Sequence, residues 1–190
     1  MLQKSQERLE RFAMLVVFIA ASAALAVVLG IDAAVAAAAN ETGNVIITQV
    51  LYNPINSESS GEAVELYNPT AAPINISGWA IGTETSPTDA VTPQGSVICG
   101  NCYFLVADLN WSAGKDNASW PNADHEEALT LANLDAGIAV KNSTGSVVDA
   151  VGWGNFLNIG LGLFEGIPHS GSSGGNSLRR KVVNASYVDT

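Results

Sequence analysis

Positive charge is scarce in this chain. Eight lysines and arginines stand against eighteen aspartates and glutamates, for a formal net charge of −10. Lys4, Arg8 and Arg11 precede a long apolar run, so from Asn40 onward only Lys115, Lys141, Arg179, Arg180 and Lys181 oppose fifteen carboxylates. Such a surface repels phosphate backbones, which argues against nucleic acid as a partner. Histidine and cysteine are rarer still, with two of each. His125 and His169 are not at zinc-ligand spacing, and Cys99 and Cys102 form the sole C-x-x-C, so a four-ligand zinc cluster has no basis. No G-x-S-x-G is present and the serines are scattered through polar loops, leaving no nucleophile–base pair. No repeat of 20–50 residues is visible and no amphipathic helical period occurs. Nothing in the sequence asks for a cofactor.

What is abundant is apolar residues in short runs, with glycine, asparagine, serine and threonine between them. Residues 12–31 form the one long apolar stretch, FAMLVVFIAASAALAVVLGI, after a basic start and before an alanine-rich tail with A-x-A sites at 34–36 and 37–39. That layout predicts an N-terminal hydrophobic helix over residues 1–39 that acts as a cleaved secretory signal or, being long enough to span a bilayer, as a retained membrane anchor. Residues 40–190 would then be one domain outside the cytoplasm. Six N-x-[ST] sequons agree with export, at Asn40, Asn75, Asn110, Asn117, Asn142 and Asn184. In CGNC, Gly100-Asn101 between apolar runs is a two-residue hairpin signal that sets Cys99 opposite Cys102. A structural disulfide is the favoured reading there, a catalytic dithiol the lesser one. Closing so short a loop should stabilise by no more than about 2 kcal/mol.

The domain is organised around residues 62–81, EAVELYNPTAAPINISGWAI. Val64 and Leu66 share one face of a strand while Ala63, Glu65 and Tyr67 take the other. Asn68-Pro69 ends it, because proline has no N–H for a ladder. Ser77-Gly78 turns the chain, and Trp79 with Ile81 anchors the return to the same core. Upstream, residues 45–52 (VIITQVLY) divide into faces 45/47/51 and 46/50/52, both largely apolar. This uncharged run reads equally as a central strand or as an open edge that could pair with another chain. Residues 83–95 are expected as loop, 96–98 and 103–108 as a hairpin across CGNC, and 109–127 as a long aperiodic loop. Residues 128–133 and 137–142 are expected to pair with each other, 146–154 to form a further strand, and 155–175 a glycine-rich loop before a basic final strand. The whole reads as an all-β sandwich.

Several runs in order resemble the lamin tail domain: I-x-x-V-x-Y-N-P from Ile47, E-x-V-E-L-x-N from Glu62, and I-x-I-S-G-W from Ile74. They continue with L-x-L-x-N…G-I-x-V-x-N from Leu129, G-x-V-V-D from Gly145 and S-L-R-R from Ser177. The resemblance implies an immunoglobulin-like β-sandwich with no catalytic residues of its own. In exported prokaryotic proteins it implies an interaction module beside enzymes or on cell surfaces. Export, acidity and sequons together point to an archaeal type of cell surface.

The remaining polar clusters each admit a chemical and a structural reading. Asp124, His125, Glu126 and Glu127, with Asp108 and Asp116 upstream, could hold a hard cation, but the calcium-loop spacing is missing and a solvated acidic loop is the simpler reading. Glu62 and Glu65 lie on opposite faces of one strand and cannot work as an acid–base pair. Arg179, Arg180 and Lys181 read as an anion contact or as cations guarding an edge. Trp111 and Trp120 read as a sugar-stacking platform or a cap on the core. The expectation is therefore a non-enzymatic, glycosylated, exported envelope protein whose partners are other envelope proteins or copies of itself, and the membrane if the N-terminal segment is retained. The second reading is a ligand- or cation-binding module serving a separate enzyme. The N-terminus of native protein should lie between Ala37 and Asn40, or the intact chain should partition with membranes; soluble full-length protein in the cytoplasm would refute both.

Overall fold

The computed structural model describes residues 45–184, 186 and 187. The predicted N-terminal helix and the sequon at Asn40 lie outside the described residues. Among those described, no helix is long and apolar enough to cross a membrane.

The chain forms β1 (Ile46–Leu51), β2 (Ala63–Tyr67), β3 (Ile74–Asn75), β4 (Ala80–Gly82), β5 (Ala90–Val91), β6 (Val97–Ile98) and β7 (Tyr103–Ala107). After a single helical turn, α1 (Trp111–Gly114), come β8 (His125–Glu126), β9 (Ala136–Lys141), β10 (Val147–Trp153) and β11 (Leu178–Arg179). The short ribbon of β12 (Val182–Val183) and β13 (Ser186–Tyr187) follows. One sheet runs β11-β1-β2-β7-β8, the other β10-β9-β4-β5, and β3 pairs with β6 in a small ribbon. Val64 and Leu66 on the first sheet meet Ile81, Ile138 and Val140 on the second in one apolar core that also takes Trp79 and Trp153. This is the all-β arrangement that the alternation implied, and it is consistent with the immunoglobulin-like sandwich that the resemblance implied.

The faces of β1 differ from simple alternation. Val45, Ile47, Val50 and Tyr52 all enter the main core, which strict period 2 forbids. The register against β2 shifts between Ile47 and Gln49, so Thr48 is a bulge that advances the phase by one residue. Leu51 is thereby turned to the outer face, where it packs with Ala63, Ala107 and Trp111. A second bulge, between Val147 and Asp149, does the same to β10.

Beside these bulges the sandwich is closed by a buried ion pair. Arg180 Nη2 donates to Asp149 Oδ1 and Oδ2 at 2.8 and 2.6 Å, with side-chain exposures of 8% and 2%. Asp149 Oδ2 also accepts the Ile47 amide at 2.5 Å, and Arg180 Nε donates to the Ile47 carbonyl at 2.7 Å. Arg180 N donates to the Thr48 carbonyl at 2.8 Å. Together with the Gln49–Arg179 and Val50–Leu178 pairs, these bonds cover the side of β1 away from β2. The first strand is therefore central, and the open-edge reading of it does not hold.

Three further expectations change. The CGNC turn does not close a hairpin, because β6 pairs with β3 while β7 pairs with β2. The reason is Asn68, fully buried, whose Nδ2 donates to the carbonyls of Ala72, Ile98 and Cys99 and draws the turn onto residues 70–72. Residues 83–95 include β5, which pairs with β4 at the sheet edge. Residues 128–133 form no strand; β9 pairs with β4 and β10 instead. The loop over the outer face of the second sheet settles Ile159 and Leu163 against Ala139 and Ala150. It comes so close that a Cβ on Gly137 would stand 2.1 Å from the Leu163 carbonyl oxygen, which makes glycine necessary there. Asp149→Ala leaves a buried guanidinium and the Ile47 amide without their acceptor, and should cost about 3–5 kcal/mol in chemical denaturation. Adding Arg180→Met should recover part of that loss; a single-variant cost below about 1 kcal/mol would show the pair to be dispensable.

Candidate functional site

The sequence-predicted acidic cluster is dispersed: Asp108 is buried, and the other acidic members serve as loop anchors. Asp116 accepts the amides of Ile55 and Asn56 at 2.6 and 2.8 Å. Asp124 accepts that of Leu105 at 2.8 Å, and Glu127 that of Val91 at 2.8 Å while also pairing with His125 Nε2 at 3.0 Å. Glu126 takes the Ser112 hydroxyl at 2.5 Å and the Ser112 amide at 3.1 Å; the hydroxyl contact is the main cause that lowers its pKa. Asp135 accepts the Asn155 amide and the Asn158 side chain, both at 2.7 Å, which lower its pKa. Among the described residues no group of three histidine, cysteine or acidic side chains is placed to hold a metal ion.

A further polar arrangement, largely buried, is one that the sequence did not single out. Glu62, just before β2, faces Asp108, just after β7, because the ladder pairs Ala63 with Ala107. The Asp108 amide donates to the Glu62 carbonyl at 3.0 Å. Both side chains are buried, and both take an amide from residues 128–133: Leu131 N to Glu62 Oε2 at 2.9 Å and Leu129 N to Asp108 Oδ1 at 3.0 Å. Between them, Thr130 N reaches Asp89 Oδ2 at 2.7 Å. Three carboxyls thus hold three successive amides, and Leu129 and Leu131 enter the core although their segment has no strand partner. The usable signal was glutamate opening one run and aspartate closing its neighbour.

Electrostatics mark the same pair. Burial pushes Glu62 up to about 8; the Leu131 amide opposes that and the nearby Asp108 adds to it. Asp108 is also raised, chiefly by burial, against the Leu129 amide, and its Oδ2 has no hydrogen-bond partner among the described residues. A protonated Glu62 beside Asp108 avoids two adjacent buried charges. Glu65, by contrast, points to the outer face and accepts the Thr48 hydroxyl at 2.6 Å, so it is not paired with Glu62.

The other candidates separate. Cys99 and Cys102 are joined by a disulfide with Cα atoms 5.2 Å apart. Asn75, Asn110, Asn117 and Asn184 are exposed. Asn142 is buried, and its Oδ1 accepts the amides of Thr144 and Ser146 and the Thr144 hydroxyl. Arg179 and Lys181 are exposed while Arg180 is the ion-pair residue. Trp111 and Trp120 stack at 5.8 Å and 15°, Trp111 buried and donating from Nε1 to the Pro121 carbonyl, Trp120 half-buried.

A family model described as Lamin Tail Domain matches residues 38–155, well over half of the chain. No curated protein matches it.

Because Glu62 is raised in the folded state, the unfolded chain loses its proton first. This group's contribution to stability is full below about pH 4.5 and is lost as pH rises through about 8. Glu62→Gln keeps an acceptor for Leu131 without a charge. It should flatten that decline and exceed wild type in stability near pH 9 by about 1–3 kcal/mol in urea titrations. Equal slopes for the two proteins would remove Glu62 as its source.

Proposed function

The chain belongs to the lamin tail domain family, and from that membership we propose that it acts as an exported, non-catalytic structural or interaction component of a cell envelope. The observation that carries this reading is where the reactive side chains are spent. Glu62, Asp89, Asp108, Asp116, Asp124 and Glu127 each accept a main-chain amide and tie one stretch of the chain to another. A carboxylate committed to a backbone donor is positioned for architecture, whereas a general acid or base needs a proton path to a bound substrate. Export is supported by the basic-apolar-alanine N-terminal sequence and by the disulfide, a bond that persists in oxidising compartments. Exposed sequons fit a glycosylated surface.

The test is surface labelling of cells from the native source with a membrane-impermeant amine reagent, followed by fractionation. The protein should be labelled on intact cells and should sediment with the envelope. Unlabelled protein in the cytosolic fraction would overturn the proposal. Glycopeptide mass spectrometry of the same material should find glycans among Asn75, Asn110, Asn117 and Asn184 and none at buried Asn142.

A further inference from the structure

We infer that the outer face of the first sheet holds a binding pocket for an organic cation, the ammonium head of an amine, between the Glu65 carboxylate and the indoles of Trp111 and Trp120. The pocket is a cavity of about 170 Å³. Its floor is a row across three strands: the ladders set Gln49 on β1 opposite Glu65 on β2, and Glu65 opposite Leu105 on β7. The Thr48 bulge puts Gln49 into that row. The two stacked indoles form one wall, and Ser177 lies at the rim beside Gln49.

The chemistry of the lining selects the sign of the ligand. Glu65 is the single charged side chain among the lining residues. Three donors near the cavity already have acceptors: Thr48 Oγ1 in Glu65 Oε1 at 2.6 Å, Gln49 Nε2 in Ser177 Oγ at 2.7 Å, and Trp111 Nε1 in Pro121 O at 2.9 Å. The nearby cation, Lys115, is drawn to the Trp120 carbonyl at 2.7 Å and to Asn122 Oδ1 at 2.8 Å and does not line the pocket. What faces an incoming group is a carboxylate, acceptor oxygen and aromatic surface. An anion meets Glu65 and is repelled, and a neutral sugar gains no charge attraction from it. An ammonium gains the carboxylate and the indole quadrupole together. The net charge of −10 raises the local concentration of such cations.

The pocket is also formed in advance. Trp120 is held between its stack on Trp111 and the Lys115 bond to its own carbonyl. The bonds that fix Glu65 and Gln49 do not depend on a ligand. This inference is independent of where in the cell the protein works, so labelling and binding experiments can fail separately.

The test uses the full domain and two probes, choline as a free ammonium and Nα-acetyl-lysine amide as a peptide-like one, followed by NMR of the indole N–H groups and by calorimetry at constant ionic strength. The controls are 3,3-dimethylbutan-1-ol, the uncharged shape of choline, and methyl glucoside. Saturable binding of at least one ammonium probe is expected, with the uncharged isostere weaker by about tenfold or more. Which probe binds more tightly reports whether the source is a free amine or a lysine side chain. Glu65→Gln should erase the difference between choline and its isostere, with circular dichroism confirming the fold. Trp120→Leu, at a half-exposed position, should abolish binding by calorimetry and serves if the first variant does not fold. Equal binding of choline and its isostere, preferential binding of the glucoside, indifference to either substitution, or no saturable response to either ammonium would each overturn the inference.

Discussion

The interaction on which this sandwich depends is the Arg180–Asp149 pair. It lies where both sheets break their regular pairing, next to the bulges of β1 and β10. At a bulge the ladder loses a partner, and Ile47 would otherwise present its amide and carbonyl to a space with no neighbouring strand. Asp149 takes the amide and Arg180 the carbonyl, so two charged side chains do there what a strand does elsewhere. The pair is bidentate, which meets the desolvation of both charges with directed bonds. Because Asp149 is on the second sheet and Arg180 follows the edge strand of the first, the same contact stitches the layers together. It also explains why an uncharged first strand is safe in an all-β protein: its outer side is covered.

The acidity of the chain has a related origin. Short strands joined by long links leave many buried or half-buried amides without ladder partners, and carboxylates are strong acceptors for them. Residues 128–133 show the economy of the device. Three carboxyls from three different parts of the chain hold three consecutive amides, and two leucines are delivered to the core without a strand. Burying Glu62 next to Asp108 costs something, visible in the raised pKa of both. The family model stops at residue 155, so Asp149 falls inside the matched stretch, whereas Arg180 and β11 fall beyond it. The glycine-rich loop and the last basic residues complete the first sheet and fill the outer face of the second.

Much of the core was legible along the chain because period-2 alternation is a local property. Val64 and Leu66, the Trp79 anchor, the strand ending at Trp153 and the Asn-Pro stop after β2 all follow from neighbours in sequence. Errors arose where the deciding partner was distant. The CGNC turn has hairpin composition and closes with the Cys102 amide on the Cys99 carbonyl, yet the strands on its two sides go to different partners, and the Asn68 side chain holds the Ile98 and Cys99 carbonyls. Residues 128–133 alternate like a strand, yet their amides find side chains instead of a ladder. The short β5 escaped because two residues carry no pattern.

The sequence by itself determined the fold class, the anchors of the core and the net negative charge, since each depends on composition or on spacing within a few residues. Tertiary structure alone decided which carboxylates became neighbours, which asparagines stayed exposed and which side of β1 was covered. Glu62 and Asp108 are forty-six positions apart and acquire their shared environment only when β2 pairs with β7. Strand alternation says which way a side chain points relative to its own chain. It does not say what another strand brings to the same place, and electrostatics, burial and binding all depend on that.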